Sequence, residues 1–597
     1  MLREIYDYGN KKAILSPSGF KLKQVKAYIS LDSKGNFIGI DIGLKEKKMC
    51  PDVGSLAQGQ YMCNILVEKA GIILLVDDSY KSKHDFFITA LEKGSNYEPL
   101  FNTCLVSLKN EITRSLIIQS LETQKIKISD VIGFKVNMFP IEESENYLEW
   151  WNSYRKTLLQ NKDSEATNTM QRCFITGNIC EPVKTVPKIN GLFSVGGHSS
   201  GDSLICFDKD AYRSYNLEQA ENCPVSEEAI NKINFTLEKL ISDAPTHAGS
   251  KFVYWYKESL PCDGNYDLLS TLKDLAINEN EDLTVNTDID GDDFEQEITA
   301  LINAKKLINS VKKGEMPQQL LNRYYILTLS GAGGRIMIRN YMEGSYEELY
   351  DSFKSWFDDL TLVNAKRPPK LTGIYIRLLK YQKSKIDLFK RISQELAGLD
   401  NQIMYAILKN TRLPDAVASR ALNYIRSDLL SNEDRKKSKS LDSIACRILK
   451  VWLMRKEMFD KKIRREDVIM KEELNEENTN SAYLAGRMMA VYAKIQEDSL
   501  GDVGAGVVQR YYTSASTAPA LVIGRLSALS QHHLGKLSKG KSIYYTNILA
   551  DIASKVKNGF PRSMNIEQQS LFALGYYQQI ADLYKKKDKE ENKEEAK

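Results

Sequence analysis

Histidine, cysteine and clustered carboxylates are the side chains from which most catalytic and metal centres are built, and their spacing in this sequence assembles none of the familiar ones. The five histidines, His84, His198, His247, His532 and His533, include no H-E-x-x-H pair, and no two of the nine cysteines stand in C-x-x-C spacing. The commonest zinc frameworks need such pairs to bring ligands to one side of an ion. Around Asp288, Asp290 and Asp292 the chain resembles a calcium loop, but glycine falls at the fourth place and Thr299 stands at the twelfth, where a bidentate glutamate is required. A solvated acidic loop is the expectation there. Gly331 to Arg335 has neither the lysine nor the hydroxyl of a phosphate-binding loop and reads as a turn. No metal, cofactor or catalytic set is expected. A metal-dependent nuclease acting on bound DNA, with carboxylates converging from distant segments, is the rival reading.

What remains is binding chemistry. Gly196, Gly197 and Gly201 with His198, Ser199 and Ser200 make a loop of mostly small residues that runs into a strand candidate, Ser203 to Phe207. Such loops let a backbone approach a ligand closely and offer amide and hydroxyl donors to phosphate, although an ordinary turn has the same composition. Charge is segregated along the chain. Residues 361 to 470 carry 25 Lys and Arg against 12 Asp and Glu, and residues 505 to 562 carry eight bases opposed only by Asp551. Two such runs suit a polyanion, because neutralised phosphates release counterions, while the bland reading is solvated helix faces. In the second run Arg510, Arg525, Lys536, Lys539 and Lys541 accompany Tyr511 and Tyr512, which would stack bases or, more commonly, fill a core.

These residues need elements to hold them. With 597 residues, 42% hydrophobic and 27% charged, the chain is an ordinary globular composition of several domains. No apolar run is long enough to span a bilayer, and the thinly scattered cysteines suit reduced thiols, so a cytoplasmic location is expected. Val25–Ser30 and Phe37–Ile42 flank the turn residues Ser33 to Asn36 and predict a hairpin; Ile72–Val76, Val131–Val136, Ser203–Phe207 and Phe252–Tyr256 are further strand candidates. Asp85–Lys93 and Glu227–Ser242 read as helices, the second capped by Ser226. From about Phe294 the periodicity becomes helical. After the break Lys366–Gly373 come amphipathic helices at Tyr375–Ala397, Ile403–Leu408, Pro414–Leu430, Ile444–Phe459, Ala482–Gln496 and Ile543–Val556, with Glu472–Asn480 as a linker.

The fold class is therefore α+β: an N-terminal mixed region with antiparallel sheet over residues 1–365, then an all-α part. That part divides into a basic helical segment, 366–470, a helical bundle, 471–585, and a charged disordered tail, 586–597.

Several motifs resemble a known family. Cys173–Gly177 (CFITG), Pro187–Gly191, Gly196–Asp202 (GGHSSGD) and Asn222–Pro224 are similar to signature segments of the large subunit of the type I-C CRISPR Cascade, the Cas-eight-c or Csd-one family. His198 stands where that family usually has glutamine, and Gly197 and Cys223 replace alanines. Leu329–Leu349, with Arg335 and Arg339, resembles its central segment, and AYLAGRMMAVYAKIQ, RYYTSASTAPALVIGRL, HHLGKL and EQQSLFALGYYQQ resemble its C-terminal signature. The N-terminal 160 residues match loosely, at Gly54 and Met62 to Asn64.

The resemblance implies a non-catalytic subunit of a crRNA-guided complex in antiviral defence. Such a subunit reads a short protospacer-adjacent motif (PAM) in double-stranded DNA, assists R-loop formation and holds the displaced strand. Asn64 and Gly196 to Gly201 become candidates for PAM contact, since asparagine suits minor-groove acceptors. Arg487, Arg510, Arg525, Lys536, Lys539 and Lys541 become candidates for the non-target strand. Expected partners are the crRNA-containing backbone and crRNA 5′-end-binding subunits, the nuclease-helicase effector, and a small subunit translated from an internal start near Met470. No membrane partner is expected.

Overall fold

The computed structural model describes residues 1–594 except 15–18, 45, 55–58, 60, 163–169, 184, 218, 263–264, 271–291, 314, 316–318, 320, 365–368, 381–387, 432–439, 469 and 502–505. The chain forms two compact units, one of Met1–Phe193, Gly197–Ser242 and Gly331–Ile336, the other of Ser194–Gly196, Asp243–Ser330 and Met337–Lys597. The first is α+β, as the hydrophobic patterning predicts, and the second is helical around one sheet.

In the first unit the strands are β1 (Phe20–Lys23), β2 (Ala27–Leu31), β3 (Phe37–Ile42), β4 (Lys48–Pro51), β5 (Glu68–Lys69), β6 (Val131–Val136), β7 (Phe139–Pro140), β8 (Gln171–Arg172) and β9 (Ile179–Cys180). The main sheet runs β3-β2-β6-β5, with β7 added on β6; β1 pairs with β4 and β8 with β9. β2 and β3 form the predicted hairpin, and Asp32 closes its turn by accepting from the backbone of Lys34 and Asn36, each at 2.8 Å. β2 and β6 are parallel, which requires a crossover, and the helices Lys81–Gly94 and Leu100–Lys109 lie in it. Ile72–Val76 is not a strand: Ala70–Ile73 is a fully buried helical turn, and a short apolar run has no period by which to tell the two apart. Ser203–Phe207 is also not a strand, and makes a single bridge from Ser203 to Arg335. The helix Glu227–Asp243 starts where expected, with Ser226 Oγ accepting from Ala229 N at 3.2 Å.

The second unit opens with a sheet in the order β10 (Thr246–His247), β11 (Ser250–Tyr256), β12 (Arg323–Ala332), β13 (Arg335–Ser345). The two longest strands, β12 and β13, fall where helices were expected. Helical periodicity ends with the helix Asp292–Lys312, and the β-branched and aromatic content of β12 carries the strand signal from there. Trp255 and Tyr325, opposite each other in the register of β11 and β12, stack at 5.3 Å. The expected helix Tyr375–Ala397 is represented by two, Leu371–Leu378 and Leu388–Glu395, with 381–387 outside the described residues. Asp288 and Asp290 of the acidic stretch, and the start of the Lys366–Gly373 break, also lie outside them. The backbone of the last helix runs from Ile566 to Glu594, through most of the segment expected as a tail.

One hydrophobic core extends from Ala248 to Leu583, so segments 366–470 and 471–585 share it. Its centre is the helix Ser481–Leu500, buried without interruption from Ala482 to Ile495. This helix crosses Ile566–Glu594 at two glycines: a Cβ on Gly486 would fall on the carbonyl oxygen of Phe572, and one on Gly575 on that of Tyr483. Beside the crossing Tyr483 OH donates to Gln578 Oε1 at 2.6 Å, and Gln578 Nε2 donates to the Lys471 carbonyl at 2.9 Å. The segment expected as a linker is therefore packed, with Asn475 and Asn478 buried and Asn475 N donating to Tyr483 OH at 3.1 Å.

Among the described residues, four cations of the basic run 361–470 face inward. Arg377, Arg447, Lys450 and Arg455 are each at most 5% exposed. Arg377 is bidentate to Asp442 at 3.2 and 3.0 Å, and Arg455 reaches Asp359 at 3.1 Å, where Arg465 also pairs. Lys450 donates to the carbonyls of Asp359 and Thr361 at 3.0 and 2.7 Å, and burial lowers its pKa to about 8. The unfolded chain thus binds this proton more tightly than the folded one. Lys450 makes stability rise with pH from about 8 to about 10.4, by up to ~1.4 kcal/mol per unit. Urea unfolding at pH 7.5 and 9.5 should show a smaller rise for Lys450→Met than for the natural protein.

Candidate nucleic-acid interface

The Gly196–Gly201 loop is built by turning its amides inward. Gly197 N donates to the Leu192 carbonyl at 2.8 Å, Gly201 N to that of His198 at 3.0 Å, and His198 N to both oxygens of Asp202 at 3.1 and 3.2 Å. Asp202 is fully buried and exchanges backbone hydrogen bonds with Ile189 at 2.8 and 2.9 Å. A Cβ on Gly197 would meet the Asp202 carboxylate, so glycine is what lets the loop close on it. The expectation that these amides are offered to phosphate is corrected at Gly197, His198, Ser200 and Gly201, whose N–H groups hold the loop together. Exposed on it are Ser199 and the His198 ring, whose Nδ1 lies 2.7 Å from Ser200 Oγ.

Asn64 is likewise engaged. Its Oδ1 accepts from Val53 N and its Nδ2 donates to Glu68 Oε2, both at 3.0 Å, so the amide braces the chain ahead of Gly54. Cys173, in the CFITG turn, is buried. Burial raises its thiol pKa, but N–H donors from Thr176 and Ser226 at 3.5 Å outweigh that and bring it down to about 7.

Within the first unit Gly54, the Thr185–Lys188 stretch, Ser200 and the Ser203–Asp208 segment line one cavity of about 600 Å³. Its far wall is one face of the helix Glu227–Asp243, and its cations are Lys21 and Lys188. Segments far apart in sequence thus meet here, and no sequence signal pointed to Lys21, Lys188 or Asn231.

In the second unit the helices Val507–Ala515, Pro519–Leu534 and Lys539–Ser554 pack on the central helix Ser481–Leu500. Packing decides which residues leave. Val508, Tyr512, Ile523, Leu526 and Ile552 go inward, and Arg510, Arg525, Lys536, Lys539 and Lys541 stand exposed outside. Arg525 lies over the Tyr511 ring at 5.7 Å, while Tyr512 sits edge-on to Phe572 and Tyr576 in the core. Lys541 is 3.5 Å from Asp498; among the described residues no carboxylate pairs with Arg510, Arg525, Lys536 or Lys539. Arg487 is corrected: it is 2% exposed, with its Nε donating to Gln579 Oε1 at 2.9 Å beside the glycine crossing, and burial keeps it from a strand.

Among the described residues no group of three His, Cys, Asp or Glu side chains has the arrangement to hold a metal, and no helix is long and apolar enough to cross a membrane. The model of the CRISPR-associated protein family Cas_Csd1 matches residues 2–584. The chain belongs to that family. It is thus a CRISPR-associated protein of the Cascade type. No curated protein matches the chain. The family match spans the glycine loop, the cavity walls and the cationic helices alike, so all three lie within the shared framework.

Removing the buried carboxylate should unfasten the glycine loop. Asp202→Ala leaves the His198 N–H without its acceptor and is expected to cost about 1–3 kcal/mol in urea unfolding, with Asp202→Asn costing less because one acceptor oxygen survives.

Proposed function

We propose that this chain is the large, non-catalytic subunit of a type I-C surveillance complex. In this reading it recognises the PAM in duplex DNA, assists R-loop formation and holds the displaced non-target strand for the nuclease-helicase. The observation that carries the reading is the exposed cationic face of the helices between Val507 and Ser554, where Arg510, Arg525, Lys536 and Lys539 lack carboxylate partners among the described residues and Lys541 stands 3.5 Å from Asp498. Cations left unpaired on rigid helices neutralise phosphate without reading sequence, and Tyr511 beneath Arg525 adds an aromatic platform. PAM contact would fall to the first unit. There the exposed His198 ring, Ser199 and Ser200 stand on a loop that Asp202 holds rigid, and Asn64 acts by bracing the neighbouring chain.

Binding should depend steeply on salt. For a single strand each phosphate contact contributes about 0.7 to the slope of log affinity against log salt, so Arg510→Ala, Lys536→Ala and Lys539→Ala together should lower it by about 2. An unchanged slope in fluorescence anisotropy would remove this face from the strand path.

A small subunit begun at Met470 fits the packing. A product of Met470–Lys597 would retain the central helix, its crossing with Ile566–Glu594 and the three cationic helices, and would lose the helices Asp415–Ser431 and Ser443–Lys461 and the hydrogen bonds of Glu472 and Tyr577 with the Val363 backbone. Replacing the Met470 codon should abolish a short companion band in complexes purified through the crRNA-bound backbone. Absence of any such band from the wild type ends the idea.

A further inference from the structure

The cavity of the first unit holds a polar group that nothing in the fold engages. Along the helix Glu227–Asp243 the residues Asn231, Asn234, Phe235 and Glu238 follow the i, i+3, i+4, i+7 spacing of a single face, and all four line the cavity. Asn234 Nδ2 donates to the Pro187 carbonyl at 3.1 Å while its Oδ1 is buried without a partner among the described residues, and Glu238 Oε1 accepts from Asn190 N and Nδ2 at 2.8 and 2.7 Å. The other wall carboxylates are also matched, Asp52 with Lys23 at 3.4 Å and Asp208 with Arg335 at 3.8 Å. Asn231 differs. It is only 9% exposed, and among the described residues its amide has no hydrogen-bond partner. A primary amide withdrawn from bulk water normally finds partners, so a donor and acceptor left open beside a cavity point to a ligand with the complementary pair.

We propose that this cavity binds one unstacked adenine nucleotide. An asparagine amide matches the adjacent donor and acceptor on the adenine edge in a bidentate arrangement. Phe20, Phe207 and Phe235 supply apolar walls for a planar base, and Lys21 and Lys188 supply the cations for its phosphate. At about 600 Å³ the space suits a small ligand of this class. The nucleotide comes either from solution or from a strand whose base is turned out of the stack. The inference is independent of the cationic helices, because every residue it uses belongs to the first unit.

Cys206 provides a reporter in the natural protein, since it is exposed on the cavity wall, while Cys262 is exposed and outside it. Timed alkylation followed by mass spectrometry should show AMP or oligo(dA) slowing Cys206 at least fivefold, with Cys262 unaffected and UMP or oligo(dT) without effect. Protection by AMP alone identifies a free nucleotide, and protection by oligo(dA) alone identifies a strand. Asn231→Leu, if it unfolds like the natural protein, should weaken AMP binding about tenfold in calorimetry, the loss expected when a paired amide contact disappears. Cys206 kinetics indifferent to both adenine ligands, or equal protection by AMP and UMP, overturns the proposal.

Discussion

The second unit depends on two helices approaching until backbone meets backbone. Gly486 and Gly575 each sit against a carbonyl of the opposite helix, and no side chain fits at either point. With the crossing this close, Tyr483 and Arg487 reach Gln578 and Gln579, which tie the helix pair and the chain near Lys471 together. The central helix is then enclosed on all sides, and the surrounding helices need only one apolar face each. Their outer faces are free to carry charge. The motifs AYLAGR and LGYYQQ, which most clearly mark the C-terminal signature, are by this account packing motifs, and the cationic surface is a consequence one layer out.

Basic residues consequently divide into two populations that composition does not separate. Arg377, Arg447, Lys450 and Arg455 are withdrawn from water, and most meet a carboxylate or carbonyls there; a buried cation is tolerated only on such terms. Their charge fixes the arrangement of the core and contributes little to the exterior. Arg510, Arg525, Lys536 and Lys539 have no such partners and project their field outward. Of the two basic runs in the sequence, the longer one supplies these four buried cations.

The glycine loop illustrates the same division on a smaller scale. Its composition suggested amides presented to a ligand, yet the buried Asp202 carboxylate and neighbouring carbonyls take up most of them. Rigidity is what the glycines provide. The polar groups left unmet at the cavity are the Asn231 amide and Asn234 Oδ1, on one face of a helix, and they became visible only once the opposite wall was in place.

Local pattern alone determined the β2–β3 hairpin, β6, the Ser226 cap and most C-terminal helices, because turn chemistry, capping and amphipathic period act within a few residues. It also carried the family motifs, which are contiguous. Only the tertiary structure decided that Ile72–Val76 turns as a helix, that β12 and β13 pair, that Arg487 is buried while Arg525 is not, and that Lys21, Lys188 and Asn231 share a cavity. Each of those outcomes turns on which distant segment removes a side chain from water, and desolvation is a property of neighbours in space, which linear order does not contain.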